Sequence, residues 1–146
     1  MDTELLRSVY HTDAIENHGD YQGDAEGFIK YLQMIYRTMY VVMRHLLGNT
    51  TIEIEGNFAR VETYFSAGSE LSERVDGQHC TRIHDGRYLD LFEKRDGEWR
   101  IAVRVVITDW KMGGTCLPIA PQSEIGTRDT SDPSYIRPLM GRPDLV

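Results

Sequence analysis

The chain reads as an α+β domain in which a bent antiparallel sheet wraps a helical layer, and three features point to that class. Apolar residues recur at three- and four-residue steps from Phe28 to Leu46. Beyond Gly48 the period changes to alternation. Two long alternating runs then meet at Asp96-Gly97, a dipeptide that favours a tight hairpin turn. Helices first and a meander of strands afterwards is an α+β order.

Each element follows in turn. "DTELLRSVYH" carries Leu5, Leu6 and Val9 at helical spacing behind a capping Thr3, giving a short first helix. "TDAIENHG" is a short strand closed by Gly19. From Asp24, the residues Phe28, Leu32, Ile35, Met39, Val42 and Leu46 form one continuous helical face, or two helices broken near Arg37 and Thr38. His45 then falls in the last turn, and Gly48-Asn49 stop the helix. "TTIEIEGNFARVETYFSAG" is a β-hairpin turning at Glu55-Gly56-Asn57, "SELSERVDGQ" a polar loop, and the run from His79 to Trp110 the second hairpin. After Trp110 the chain is rich in Gly, Pro and Ser and loses any period.

With 146 residues the chain has the length of one domain. Apolar residues make up 40% and charged ones 27%, the composition of an ordinary globular protein. No apolar run approaches the roughly 20 residues of a membrane span and no leader pattern opens the sequence, so a cytoplasmic protein away from membranes is expected. The net charge of −7 is scattered and Lys and Arg form no stripe, which argues against nucleic acid as a partner. Cys80 and Cys116 stand far apart in sequence, in neither a disulfide nor a zinc spacing. No metal site is expected from His11, Asp13 and His18 either, because a strand and its approach do not aim them together.

The runs "LLRSVYHTDAIENHG", "RHLLGNTTIEIEGNFARVETYF" and "GRYLDLFEKRDGEWRIAVRVVITDW" resemble the SnoaL-like branch of the nuclear-transport-factor-2-like superfamily, the scytalone dehydratase-like members in particular. The resemblance spans Asp2 to Trp110, and "DPSYIRPL" in the tail is similar to further members. It implies a cone-shaped, strongly curved antiparallel sheet wrapped around N-terminal helices, a cystatin-like α+β barrel with one pocket. Residues 1–112 would form that domain, and 113–146 an extended tail packing on it or on a neighbouring subunit. The family's first helix also carries a Tyr and an Asp upstream of the position matched by Asp2, and the Asp pairs with the pocket histidine. Neither stands in this sequence. Similarity extends to the small subunits of ring-hydroxylating dioxygenases, which share the fold and supply no catalytic residues.

Site roles follow from the same resemblance. His45 falls on the helix-to-strand histidine that the dehydratases use as general base. His18 falls on a pocket tyrosine of the first strand, Tyr88 on a pocket asparagine, Arg104 and Val106 on wall positions of the last strand, and Ser69 on a second pocket histidine. The residues themselves leave alternatives open. An imidazole titrates near neutral pH and suits proton abstraction, yet a histidine in a last helical turn also stabilises the final carbonyls. His18 serves a pocket or sits in solvent. Tyr88 shares a sheet face with Asp90 and Phe92, and its hydroxyl polarises a carbonyl or satisfies a buried group. Arg104, set among Val103, Val105, Val106 and Ile107, needs Asp90, Asp109 or an anionic ligand. Asp13 and Glu16 lie near His18 and either orient a histidine in place of the family's Asp or, as acids at strand ends normally do, stay solvated, and His79 and His84 read as exposed.

The sequence therefore predicts a cofactor-independent lyase or isomerase, dehydratase- or cyclase-like, acting on a small apolar oxygenated ring compound by histidine general-base catalysis. His45, His18 and Tyr88 would be catalytic, and Arg104, Val106, Phe65 and Asp90 would bind substrate. The competing reading is a non-catalytic ligand-binding or assembly subunit. A homo-oligomer, dimer or trimer, is expected, because a curved sheet carrying Val103, Val105 and Ile107 must cover its outer face.

Overall fold

The computed structural model describes residues 1–123, 126–127 and 129–135. The chain divides into two compact units, Met1–Cys116 and Leu117–Val146. The first contains helix α1 (Thr3–Ser8), strands β1 (Tyr10–Asn17) and β2 (Gln22–Asp24), helix α2 (Ala25–Thr38) and strands β3 (Tyr40–Glu55), β4 (Phe58–Val75), β5 (Gln78–Arg95) and β6 (Glu98–Thr115). The six strands form one curved, unclosed sheet in the order β2-β1-β6-β5-β4-β3. All neighbours run antiparallel except β1 and β6, which are parallel. Between β1 and β6 the chain passes through β2, α2 and strands β3 to β5.

Local chemistry sets the boundaries. Asp2 rather than Thr3 caps α1, its carboxylate accepting from the backbone N–H groups of Glu4 and Leu5 at 3.1 and 3.0 Å. Asp24 caps α2 through the N–H of Gly27 at 2.7 Å. This helix lays Ala25, Phe28, Ile29 and Ile35 into the core, and burying a side chain such as Phe28 or Ile29 contributes about 1.5–3 kcal/mol. Tyr10, Ala14, Ala25 and Ile101 form one apolar cluster, with Leu6 and Phe92 against it.

Two expectations are corrected. The helix does not run on to Leu46: it ends at Thr38, where Ser72 of β4 donates its hydroxyl to the Thr38 carbonyl at 2.8 Å and its N–H to the Met39 carbonyl at 2.9 Å. With the last carbonyls taken and β-branched Val41-Val42 next, the chain enters β3. A four-residue step such as Val42 to Leu46 fits a helical face and a strand face equally, so periodicity alone misplaced His45. Nor is "SELSERVDGQ" a loop. It is the end of β4, a two-residue turn and the start of β5, with Asp76 and Gly77 both at positive φ (52° and 78°), the turn geometry also found at Asp96-Gly97.

Register irregularities between Leu47 and Thr50, between Glu70 and Arg74, and between Asp85 and Gly86 accompany the curvature. At Gly86 the bulge brings the backbones so close that a Cβ would run into the Ile107 carbonyl. The second unit holds a short 3₁₀ turn, Pro133–Tyr135, preceded by a loop in which Asp132 accepts from the N–H groups of Thr127 and Ser134. The end of the expected tail, including the "IRPL" of "DPSYIRPL", lies outside the described residues.

Candidate active site

Register partners on neighbouring strands point to the same side of a sheet, so a row of partners is a line of side chains across one face. One row is Glu16 on β1, Arg104 on β6 and Asp90 on β5. A second is His45 on β3, Ala67 on β4, His84 on β5 and Lys111 on β6. Phe65 and Tyr88 lie between the rows. With Phe28, Tyr31, Leu32 and Ile35 of α2 they enclose a cavity of about 300 Å³, lined also by His18, His45, His84 and Arg104.

The best-oriented base in this cavity is His18. Its Nδ1 lies 2.7 Å from Oε1 of Glu16, a carboxylate with no solvent exposure at all. An ionised carboxylate only accepts, so Nδ1 carries the proton and Nε2 is left for the cavity. The ring stacks on Phe28 at 4.6 Å, which restrains its tilt. Residues 16 and 18 share a side because strand side chains alternate.

A buried carboxylate needs compensation. Arg104 sits in register beside Glu16 and is clamped from the other side by Asp90, with two hydrogen bonds of 2.7 Å each. Burial works against its charge, but Asp90, Tyr10 and Glu16 outweigh that and raise its pKa above the ordinary guanidinium value. The second Glu16 oxygen, Oε2, and the Tyr10 hydroxyl are both sealed from solvent and lack a well-formed hydrogen bond, although the phenol interacts with the Glu16 side chain. The Tyr10 phenol is pushed well above its usual range, first by burial; Arg104 opposes and the Glu16 charge adds to the rise.

The aromatic centre is Phe65. Tyr88 stacks on it at 4.5 Å, His84 meets it edge-on at 5.5 Å, and His45 lies 6.1 Å away. Burial pushes the Tyr88 hydroxyl up to about 12, although the Arg104 guanidinium lies over its ring at 4.3 Å. A neutral phenol of this kind donates hydrogen bonds. His45 is held below the usual imidazole value by burial first and by His18 second. Burial likewise lowers His84, followed by Lys111, His18, Arg82 and His45, and its Nε2 lies 2.9 Å from the Thr108 hydroxyl.

The expected site residues thus separate into two shells. His45, His18, Tyr88, Phe65 and Arg104 all line the cavity, as does Ser69. Val106 packs behind the Phe65–Ala67–Tyr88 cluster, and Asp90 stands behind Arg104. His45 is a strand residue with no carboxylate on its ring among the described residues. Glu16 is buried rather than solvated, and His84 lines the cavity rather than facing solvent. The even spacings of Glu16 from His18 and of His84 from Tyr88 were the available signals. Elsewhere His11 Nε2 lies 2.9 Å from the Glu93 carbonyl oxygen, Asp13 pairs with Arg95 at the surface, and His79 Nδ1 lies 2.7 Å from the Leu71 carbonyl oxygen. Among the described residues no group of three or more His, Cys, Asp or Glu converges as a metal site requires. No helix among them is long and apolar enough to cross a membrane.

Comparison with known proteins agrees with this architecture. The family profile of the SnoaL-like domain matches residues 1–105. No curated protein sequence gives a significant match. Among solved structures, a candidate scytalone dehydratase from Novosphingobium aromaticivorans is similar over 75% of this chain and 72% of its own, at 20% identity and a TM-score of 0.64. The hexachlorocyclohexane dehydrochlorinase LinA-type3 from Novosphingobium barchaimii is similar over 81% and 80%, at 16% identity and a TM-score of 0.68. A candidate aromatic ring hydroxylase from Novosphingobium aromaticivorans is similar over 80% of both chains, at 14% identity and a TM-score of 0.64. At these identities the structures speak for the fold. With the profile covering most of its length, the chain belongs to the SnoaL-like domain family.

Proposed function

We propose that this protein is a cofactor-independent lyase or isomerase that removes a proton beside a carbonyl or leaving group of a small oxygenated ring compound, with His18 as general base. The observation that carries this reading is the 2.7 Å hydrogen bond from His18 Nδ1 to the fully buried Glu16. It holds the imidazole in one tautomer and stabilises the imidazolium formed on proton transfer. Tyr88 donates to the oxyanion that develops, and His45 and His84, kept neutral by burial, accept or relay protons across the ring. The two similar structures described as a candidate dehydratase and a dehydrochlorinase support the same reaction class. A carboxylate–histidine pair inside a cavity favours an enzyme over a passive binding subunit, because a binder gains nothing from an oriented base.

The test is deuterium incorporation at C1 of 2-tetralone, a bicyclic ketone, followed by NMR in D₂O. The wild-type protein accelerates exchange over buffer and the His18→Asn variant does not. Absence of acceleration, or equal acceleration by His18→Asn, overturns the proposal.

The protein in this reading is also a homo-oligomer. The sheet face opposite the cavity carries Leu46 and Trp110 in one register row and Ile83 and Met112 in the next, with Leu46, Trp110 and Met112 about half exposed. A second copy is the occupant this face fits, and Trp110→Glu is expected to shift the mass measured by light scattering toward the monomer.

A further inference from the structure

We propose that one end of the cavity is a carboxylate-binding subsite formed by Arg82, His84 and Lys111, so that the ligand is a ring compound bearing a carboxylate. The inference rests on the cavity being the substrate site proposed above, but not on the identity of its base. Register places the three together: His84 faces Lys111 directly across β5 and β6, and Arg82 lies two residues before His84, on the same side of β5. All three line the cavity. Their closeness is also felt electrostatically, since Lys111 and Arg82 both help to hold His84 neutral.

Neither cation is neutralised by the protein. Arg104, the other lining guanidinium, is fully engaged by Asp90. Arg82, half-buried, and Lys111, exposed, have no ion pair or side-chain hydrogen bond with any described residue. The lining carboxylate, Asp20, belongs to the turn after His18, where its charge acts on Tyr31. A guanidinium withdrawn from water without a counter-charge is a feature with a cost, and a bound anion removes that cost.

The backbone leaves room for such a group. Arg82 faces Gly113 on β6, so no side chain from that position fills the space beside the cations. The Ser69 hydroxyl, which donates to the Arg82 carbonyl, and the Thr108 hydroxyl, 2.9 Å from His84 Nε2, lie at the same end. Aromatic walls formed by Phe65 and Tyr88 continue from the cationic end toward His18. A volume of about 300 Å³ stands at the small end of ligand sites, about 300–1,000 Å³. That combination fits a planar ring with a carboxylate better than a larger phosphorylated compound.

Calorimetric titration of the full chain with 2-naphthoate and with uncharged 2-naphthamide tests the assignment. The acid is expected to bind about tenfold or more tightly than the amide, the preference typical of a charge-assisted hydrogen bond. Arg82→Gln and Lys111→Gln each weaken the acid and not the amide, and Arg82→Lys recovers part of the loss. Lys111 is exposed, so its replacement leaves the fold intact. Equal affinities, no saturable binding of 2-naphthoate, or a preference that survives the double replacement would overturn the proposal. So would displacement of 2-naphthoate by inorganic phosphate at equal concentration, which would make this a phosphate site. Glu16→Gln keeps the preference, so loss of proton abstraction and loss of anion recognition are read separately.

Discussion

Replacing Glu16 by Gln removes one charge from the core and leaves the shape almost unchanged. The expected loss in activity comes from a single hydrogen bond, 2.7 Å long, between a fully buried carboxylate and His18. Hydrogen bonds to charged groups contribute about 1.5–3 kcal/mol, so proton abstraction is expected to slow by roughly ten- to 150-fold. Stability should respond in the opposite sense. Glu16 Oε2 is sealed from water and lacks a well-formed hydrogen bond, the Tyr10 hydroxyl being the donor that interacts with this carboxylate, and a poorly satisfied buried polar group costs up to about 1–3 kcal/mol. A glutamine at this place presents an NH₂ group toward the sealed Tyr10 hydroxyl, so urea unfolding should be unchanged or shifted upward by about 1 kcal/mol. The assays are the 2-tetralone exchange rate and the urea midpoint on the same preparation. Exchange within twofold of wild type would refute the role given to Glu16, and a large loss of stability would show that the carboxylate is structural instead.

Four further outcomes follow from the same geometry. Tyr88→Phe retains the stack on Phe65 and loses the hydroxyl, so exchange should fall about 10-fold or more while the unfolding midpoint holds, as for loss of an oxyanion donor. Asp90→Ala strands Arg104 beside Glu16 and should cost about 3–5 kcal/mol in chemical unfolding; a cost below 1 kcal/mol would contradict the clamp. Gly86→Ala should lower the melting temperature, because its methyl meets the Ile107 carbonyl, whereas Gly114→Ala, whose Cβ meets nothing, should not. His45 and His84 have folded pKa values lowered by burial, so at pH 7.5 neither state binds an extra proton there. As pH falls below the unfolded imidazole value of about 6.5, the unfolded chain takes up protons first and stability drops. Urea midpoints at pH 7.5 and 5.5 should therefore converge in a His45→Gln, His84→Gln double variant.

Much of the fold was legible because its signals are local. The Asp96-Gly97 hairpin and the start of α2 near Asp24 depend on residues close together in sequence, and both appear where the pattern put them. Asp76-Gly77 carries the same turn signal but lay inside a stretch whose polarity suggested a loop; those side chains are polar because that end of the β4–β5 hairpin is largely exposed. The stop of α2 at Thr38 depends on Ser72, a residue of another strand, and no window around the helix contains it. Glu16 was misread for a similar reason. Its acidity suggested solvent, and only the arrival of β6, with Arg104, makes a buried carboxylate tolerable there.

The parallel seam between β1 and β6 also orders events in time. Each hairpin of the β3–β6 meander closes a two-residue loop, whereas Glu16 meets Arg104 only by bringing together opposite ends of the folded unit. Contacts that distant in sequence are slow to form and carry the larger loop-closure entropy. The meander can therefore assemble before the first strand docks, and a chain caught at that stage would hold the cationic end of the cavity and the aromatic wall but no base. Recovery of proton abstraction during refolding would report the arrival of that one strand, lagging behind the fluorescence of Trp99 and Trp110 on β6.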